Sequence, residues 1–241
     1  MAENPLITTA PDYILPSNEG FENVDTSSLS LPRVVLMQGL SPAVTEGSAK
    51  AGEVWDSLGG KVADKEKAFC FIPIFHYLQA IEWGVRASQE GILQTSTDPK
   101  NPLFIRAKNR EKTMKNGKEE YAITLYHNFI VILPPNQALM CLSCSRTNYK
   151  HGNTLLTMAR YRGNYPLYAG RYTAQSKFMQ SKGNAFYNWD FTNAGWATKD
   201  EIDCCRTQYL NIKAAFDSQK LNVDIEGDKH ETEDNPNEVA L

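Results

Sequence analysis

Between Tyr121 and Trp189 the chain carries no Asp and no Glu, although its 241 residues include 28 acids. The second part of this stretch holds Arg146, Lys150, Arg160, Arg162, Arg171, Lys177 and Lys182. Among them stand Tyr149, Tyr161, Tyr165, Tyr168, Tyr172, Phe178, Phe186, Tyr187 and Trp189. Cations neutralise phosphates, and flat rings accept unstacked bases, so the chemistry these types can do together is to hold single-stranded nucleic acid. Taken singly, each ring could fill a sheet core and each cation could sit on a solvated face. An ordinary solvated face mixes its signs, however, and this block does not. The residues expected to contact nucleic acid are Tyr149, Lys150, Arg160, Arg162, Arg171, Lys177, Lys182, Tyr187 and Trp189.

Other chemistries lack their residues. No G-x-x-x-x-G-K-[ST] loop or Rossmann glycine fingerprint is present, so phosphoryl transfer and dinucleotide cofactors are not expected. A metal-dependent nuclease needs clustered carboxylates, and the first acid after the basic block is Asp190. Cys141-x-x-Cys144, with His127 and His151, suggests zinc. Residues three apart on a strand point to opposite faces, however, whereas a zinc site needs converging ligands. Buried free thiols are the expectation, with no metal, no cofactor and no catalytic residue. His76 and His230 belong to no visible constellation. The five cysteines are odd in number and, with no basic, apolar leader at Met1-Ala2-Glu3-Asn4, fit a reducing compartment. No apolar run approaches the length of a membrane span.

The elements that position the block read as mostly β. Strands are expected at Leu31 to Leu40, within Ser48 to Lys61, at Ala68 to Trp83 with Pro73 marking an edge or bulge, at Tyr121 to Leu133 and at Ala138 to Ser145. Residues 86–101 read as a loop. Leu103 to Arg106 reads as the start of a hairpin with a basic tip at Lys108 to Lys118, turning at Asn116-Gly117. Thr147 to Tyr161 reads as a helix. Tyr165 to Met179 and Asn184 to Thr192 form a second hairpin, and Thr198 to Ser218 a helix with a Thr198/Glu201 capping box. Parity puts Tyr168, Tyr172, Ala174 and Phe178 on one face of the hairpin and Arg171, Thr173, Gln175 and Lys177 on the other. Either the cations face the ligand while the rings pack inside, or a bulge changes the parity. If the cations face outward, stacking falls to Tyr149, Tyr187 and Trp189. Short strands with two flanking helices predict a Greek-key, OB-type β-barrel with a C-terminal helix and an acidic disordered tail.

Charge divides the chain into three parts. Residues 1–30 hold five acids and no base, and read as a flexible arm. Residues 222–241 hold seven acids and one base, within a tail expected over 219–241. Residues 31–221 hold 24 bases and 16 acids, a net of +8 that the overall −3 conceals, and 31–218 reads as the binding domain.

Leu31-Pro32-Arg33-Val34, Ala49-Lys50-Ala51-Gly52-Glu53, the Ser143 to Gly152 segment, Pro166-Leu167-Tyr168 through Lys177, and Lys182-Gly183-Asn184-Ala185-Phe186-Tyr187-Asn188-Trp189 together resemble the OB-fold single-stranded-DNA-binding proteins of tailed phages. The resemblance spans roughly residues 31–218 as a pattern of spacing. It implies sequence-independent coating of single strands in replication, recombination or repair, without enzymatic activity, in the host-cell cytoplasm. It also implies an acidic tail that recruits replication or recombination enzymes and competes with DNA. This tail ends Val239-Ala240-Leu241, without the terminal aromatic of the best-known members. Homo-oligomerisation is left open. The alternative is a non-enzymatic structural or interaction protein of a phage particle or replication complex, whose basic face meets an acidic protein.

A tethered tail acts at an effective concentration near ~1 mM, so even weak docking competes with a ligand. Deleting residues 222–241 is therefore expected to tighten binding of a fluorescent oligonucleotide at low salt, with the gain fading as salt rises. Equal low-salt affinities would remove the competition.

Overall fold

The computed structural model describes residues 30–84, 91–115, 118–134, 138–181 and 184–223. The N-terminal arm up to residue 29, Asn116-Gly117, Lys182 and the tail beyond Val223 lie outside them. Thirteen strands are described: β1 (Ser30–Leu31), β2 (Arg33–Leu36), β3 (Val54–Asp56), β4 (Lys61–Ala63), β5 (Phe69–Trp83), β6 (Ile92–Ser96), β7 (Lys112–Lys115), β8 (Lys118–Tyr121), β9 (Ile123–Leu133), β10 (Ala138–Ser145), β11 (Gly170–Ser181), β12 (Asn184–Trp196) and β13 (Asn222–Val223). The helices are α1 (Pro42–Thr45), α2 (Pro102–Lys108), α3 (Tyr149–Arg160) and α4 (Lys199–Asp217).

The protein is mostly β, with one nine-stranded sheet curled into a half-barrel and a long C-terminal helix. The sheet runs in the order β12-β11-β5-β9-β10-β2-β3-β4, with β6 beside β5. β5 and β9 are its spine, and Pro73 sits where their register shifts, which is where a residue without an N–H is tolerated. Alternation sorts their side chains. Phe71, Phe129, Val131, Leu142 and Cys144 face the concave side with Tyr172, Trp189 and Phe191, and Leu155 of α3 plugs that core. Ile72, Ile74 and Ile132 face the convex side, where α4 lays Cys205 against them. Ile130 and Cys141 on the same side meet Ile212. Cys141 and Cys144 therefore lie on opposite faces of β10, as their spacing predicts.

The curl brings the two ends of the sheet together without a backbone ladder. Gln38, just past β2, donates from Nε2 to the Tyr187 carbonyl at 2.9 Å and accepts from the Tyr187 N–H at 2.9 Å. Its side-chain amide thus takes the place of a neighbouring strand. Asn148 accepts from the Trp189 N–H at 2.7 Å. The edge of β12 is covered where the next strand would lie. Gly52 is required at this seam: it has φ of +88°, and a Cβ there would lie 2.6 Å from the Tyr187 ring.

Several expectations are corrected. Residues 102–108 form α2, not a hairpin arm: Asn101 accepts from the Leu103 N–H at 2.9 Å and Pro102 opens the helix, an N-cap and first-turn pair that favours helix. Leu103 and Phe104 are thereby buried against Ala80 and Ile123. Residues 92–96 form β6 against β5. The long strand expected from Tyr121 divides at Ala122, whose N–H donates to the Glu111 carbonyl at 2.9 Å. The expected capping box on α4 forms, with Thr198 as N-cap and Glu201 at N3. Ser30–Leu31 and Asn222–Val223 pair in parallel, so structured chain extends past residue 218.

Tyr172 is fully buried against Phe71, with ring centroids 6.0 Å apart. Tyr172→Ala is expected to cost about 3 kcal/mol, the cost of emptying a large aromatic site. A thermal or urea melt reads it, and an unchanged melt would place the ring outside the core.

Candidate nucleic-acid interface

The β11 alternation holds over its first half: Tyr172, Ala174 and Ser176 are buried, and Arg171, Thr173 and Gln175 turn outward. Phe178 departs from it and is exposed. The outward cations do not stand alone. Arg171 pairs with Glu201 in the first turn of α4. Lys177 lies 3.7 Å from Asp190, its diagonal neighbour across the β11–β12 hairpin, two residues beyond its register partner Asn188. Acids absent from the block in sequence thus arrive from outside it, and these two cations are in part spoken for.

Two proposed stacking rings are covered. Trp189 is 2% exposed, 6.1 Å from Phe69 and 6.2 Å from Phe191 between ring centroids. Tyr187 is 8% exposed, held by Gln38 and capped by Lys65, whose ammonium lies 5.4 Å from the ring centre. Neither offers a free face to a base. The physical reason is parity: the same alternation that turns Arg171 outward carries Tyr187, Trp189 and Phe191 inward. Tyr149 is half-buried, with its ring 4.2 Å from His127.

What α3 presents outward is different. Its core face is set by Leu155 and by Gly152, which lies so close to His127 that a Cβ would come within 2.8 Å of the ring. The opposite stripe carries Lys150, Thr154, Thr157 and Tyr161, all exposed, at helical spacing, with Arg160 beside them. Tyr161 is 88% exposed. Just beyond the helix, Arg162 is wedged between Tyr172 and Trp196, its guanidinium carbon 4.8 and 4.9 Å from the two ring centres. It also donates to Asn193 Oδ1 and to the Arg171 carbonyl. Arg162 is therefore a spacer that fixes Trp196, which is 54% exposed and meets Tyr165 edge-on at 5.1 Å. Between α3 and β12 lies an open groove of about 370 Å³, lined by Asn153, Thr154, Thr157, Met158, Tyr161 and Asn193, none of them acidic.

The nine residues expected from sequence thus separate. Lys150 and Arg160 are on the exposed α3 face, with Arg162 behind its rim. Arg171 and Lys177 lie on the hairpin's outer face, Tyr149 is half-covered, Tyr187 and Trp189 are interior, and Lys182 lies outside the described residues. Tyr161, Tyr165 and Trp196 are exposed rings that lie outside the nine expected from sequence. The available signal was the polar run Thr192-Asn193-Ala194-Gly195, which takes β12 out of the core before Trp196.

Beneath α3 sits a pair invisible in sequence. His76 and His127, 51 residues apart, place Nε2 and Nδ1 3.0 Å from each other on neighbouring strands. Burial pushes both down to about 4, and for His76 the neighbouring His127 acts in the same direction. His151 is also lowered, first by burial and then by Lys150. Among the described residues no group of three or more His, Cys, Asp or Glu is arranged to hold a metal ion, and no helix is long and apolar enough to cross a membrane.

A family model described as Pam3 phage gp34-like protein matches residues 3–216 of the chain. No curated protein and no solved structure matches it.

The histidine pair makes stability pH-dependent. Unfolded histidines titrate near ~6.5, so below that pH the unfolded chain takes up protons that the folded pair refuses until about 4. Full stability is expected above pH ~6.5, with a progressive loss on the order of a few kcal/mol between there and pH 4. Melting followed by circular dichroism at pH 7 and 4.5 measures it. A His76→Phe/His127→Phe variant should show a flatter profile over the same window, and an unaltered slope would assign the loss to other groups.

Proposed function

Since this chain belongs to the Pam3 phage gp34-like family, we propose that it is a non-enzymatic phage protein that binds single-stranded DNA across the outer face of α3 and the adjoining end of β12. The observation that carries this reading is the juxtaposition there of exposed cations, Lys150 and Arg160, with exposed rings, Tyr161, Tyr165 and Trp196. Phosphates meet the cations and splayed bases meet the rings, a combination tolerant of sequence. Arg162 holds Trp196 from behind, so that ring is ordered before a strand arrives. The curled sheet, with Gln38 standing in for a ladder at its seam, supports an OB-like reading of the barrel. A role in phage replication, recombination or repair follows from the same reading, with the acidic tail meeting partner enzymes. Because Asn222–Val223 pair with Ser30–Leu31, a tail truncation that spares the fold ends at Val223.

Binding of a fluorescent oligonucleotide is expected to weaken steeply with salt, by about 0.7 logarithmic units per decade for each phosphate contact. Tyr161→Ala should lose about 1–3 kcal/mol of binding, the value of one stacked base, with its melting temperature unchanged. Affinity indifferent to salt would overturn the electrostatic basis. Failure to bind any strand would favour the alternative, a structural or interaction protein of the particle or replication complex whose cationic face meets an acidic protein.

A further inference from the structure

We propose that the groove between α3 and β12 is a seat for one unstacked nucleobase, held by its edge through side chains already oriented to receive it. The proposal rests on the strand-binding reading only for how the base is delivered. Its evidence is the hydrogen bonding inside the groove.

Asn193 Oδ1 accepts from the Arg162 guanidinium and, at 2.8 Å, from the Gly195 N–H. Both partners can only donate, so the pinned atom must be the oxygen. The amide NH₂ is the end left for a ligand. Thr154 donates its hydroxyl to the Lys150 carbonyl at 3.0 Å, and Thr157 donates to the Asn153 carbonyl at 2.8 Å. A carbonyl only accepts, so these hydroxyl hydrogens are committed and the oxygen lone pairs remain. The groove therefore presents a fixed donor from β12 opposite fixed acceptors from α3.

That pattern selects a ligand class. A phosphate or carboxylate only accepts, and would meet the lone pairs of both threonines. The pairing edge of a nucleobase carries donors and acceptors side by side, which matches the groove's two walls. Flatness matters as well: Met158 and Tyr161 line the same groove, and a thioether and an aromatic ring are suited to a π-face. A volume of about 370 Å³ is in the range of small-ligand sites. Lys150 and Arg160, ten residues apart on the same helix and so separated by about 15 Å, stand on either side to take the flanking phosphates. A base seated here fixes the register of the strand, which cations and stacking rings alone do not.

The test uses the full chain labelled with ¹³C-methyl methionine and follows the ε-methyl of Met158. Three probes are titrated: nucleosides without phosphate, in ribo and deoxy forms; a single-stranded oligodeoxynucleotide; and an abasic deoxyribose-phosphate strand of equal length. Nucleosides and the base-bearing strand are expected to shift the Met158 methyl upfield, and the abasic strand to leave it in place. A preference between the ribo and deoxy arms would separate an RNA from a DNA source. Thr157→Trp, at an exposed position, fills the groove and should abolish the nucleoside shift while weakening the oligonucleotide by about tenfold. Thr157→Val replaces the hydroxyl with a methyl of similar size, so the acceptor lone pairs go together with the exposed bond to the Asn153 carbonyl, and it should weaken the nucleoside with little change in the melt. An unmoved Met158 with nucleosides, or an equal shift with the abasic strand, overturns the base seat. If the oligonucleotide binds with steep salt dependence while Met158 stays unmoved, the base seat fails and strand binding stands. If nucleosides move Met158 but no strand binds, strand binding fails and the base seat stands.

Discussion

The closure of the curled sheet at Gln38 is the constraint on which the rest depends. A strand at a sheet edge leaves donors and acceptors that must find partners. Here the Gln38 side chain supplies both to Tyr187, Asn148 supplies one to Trp189, and Ser176 receives the Glu66 N–H at 2.9 Å. Because the seam is made by side chains and not by a continuous ladder, the barrel is half-closed. Its concave side is left for α3 to plug with Leu155, and α3 must therefore lie against β12 with its other face outward.

That placement determines which parts of the cationic block are available. On β11 and β12 Tyr172 and Phe191 go inward and pack against Phe71, while Arg171 and Lys177 go outward and meet acids from α4 and from the hairpin itself. On α3 the period is 3.6 and not 2, so one helix face can carry a cation, two hydroxyls and a ring together. The binding surface thus moves from the strands to the helix and to the stretch of β12 that has left the core. Arg162 links the two: it sits on the buried Tyr172 and carries Trp196 and Asn193 on its outer side.

The histidine pair belongs to the same layer. His127 lies under both Tyr149 and Gly152, so the helix that presents the groove rests on two imidazoles kept neutral by burial. Unfavourable protonation there and the seating of α3 are one structural fact, since two charged imidazoles 3.0 Å apart and buried beneath the helix would repel each other.

By itself the sequence determined what is local. Strand and helix types at Phe69–Trp83, Ala138–Ser145, Tyr149–Arg160 and Lys199–Asp217 are written in periodicity, and the Thr198/Glu201 capping box is written in spacing three residues long. The opposite facing of Cys141 and Cys144 and the inward turn of Tyr172 follow from the two-residue period of a strand. The helix at Pro102–Lys108 was also local, carried by Asn101-Pro102, but the pull of the basic tip beyond it pointed to a hairpin. Tertiary structure alone decided what depends on long-range approach. Glu201 reaches Arg171 from 30 residues away, Gln38 reaches Tyr187 from 149, and His76 finds His127 only through the register of β5 on β9. Charge in a sequence window cannot show which cation will be neutralised from elsewhere, and an aromatic's type does not say which side of a sheet will be closed over. Those outcomes depend on how far the sheet curls, and that is set by contacts between its two ends.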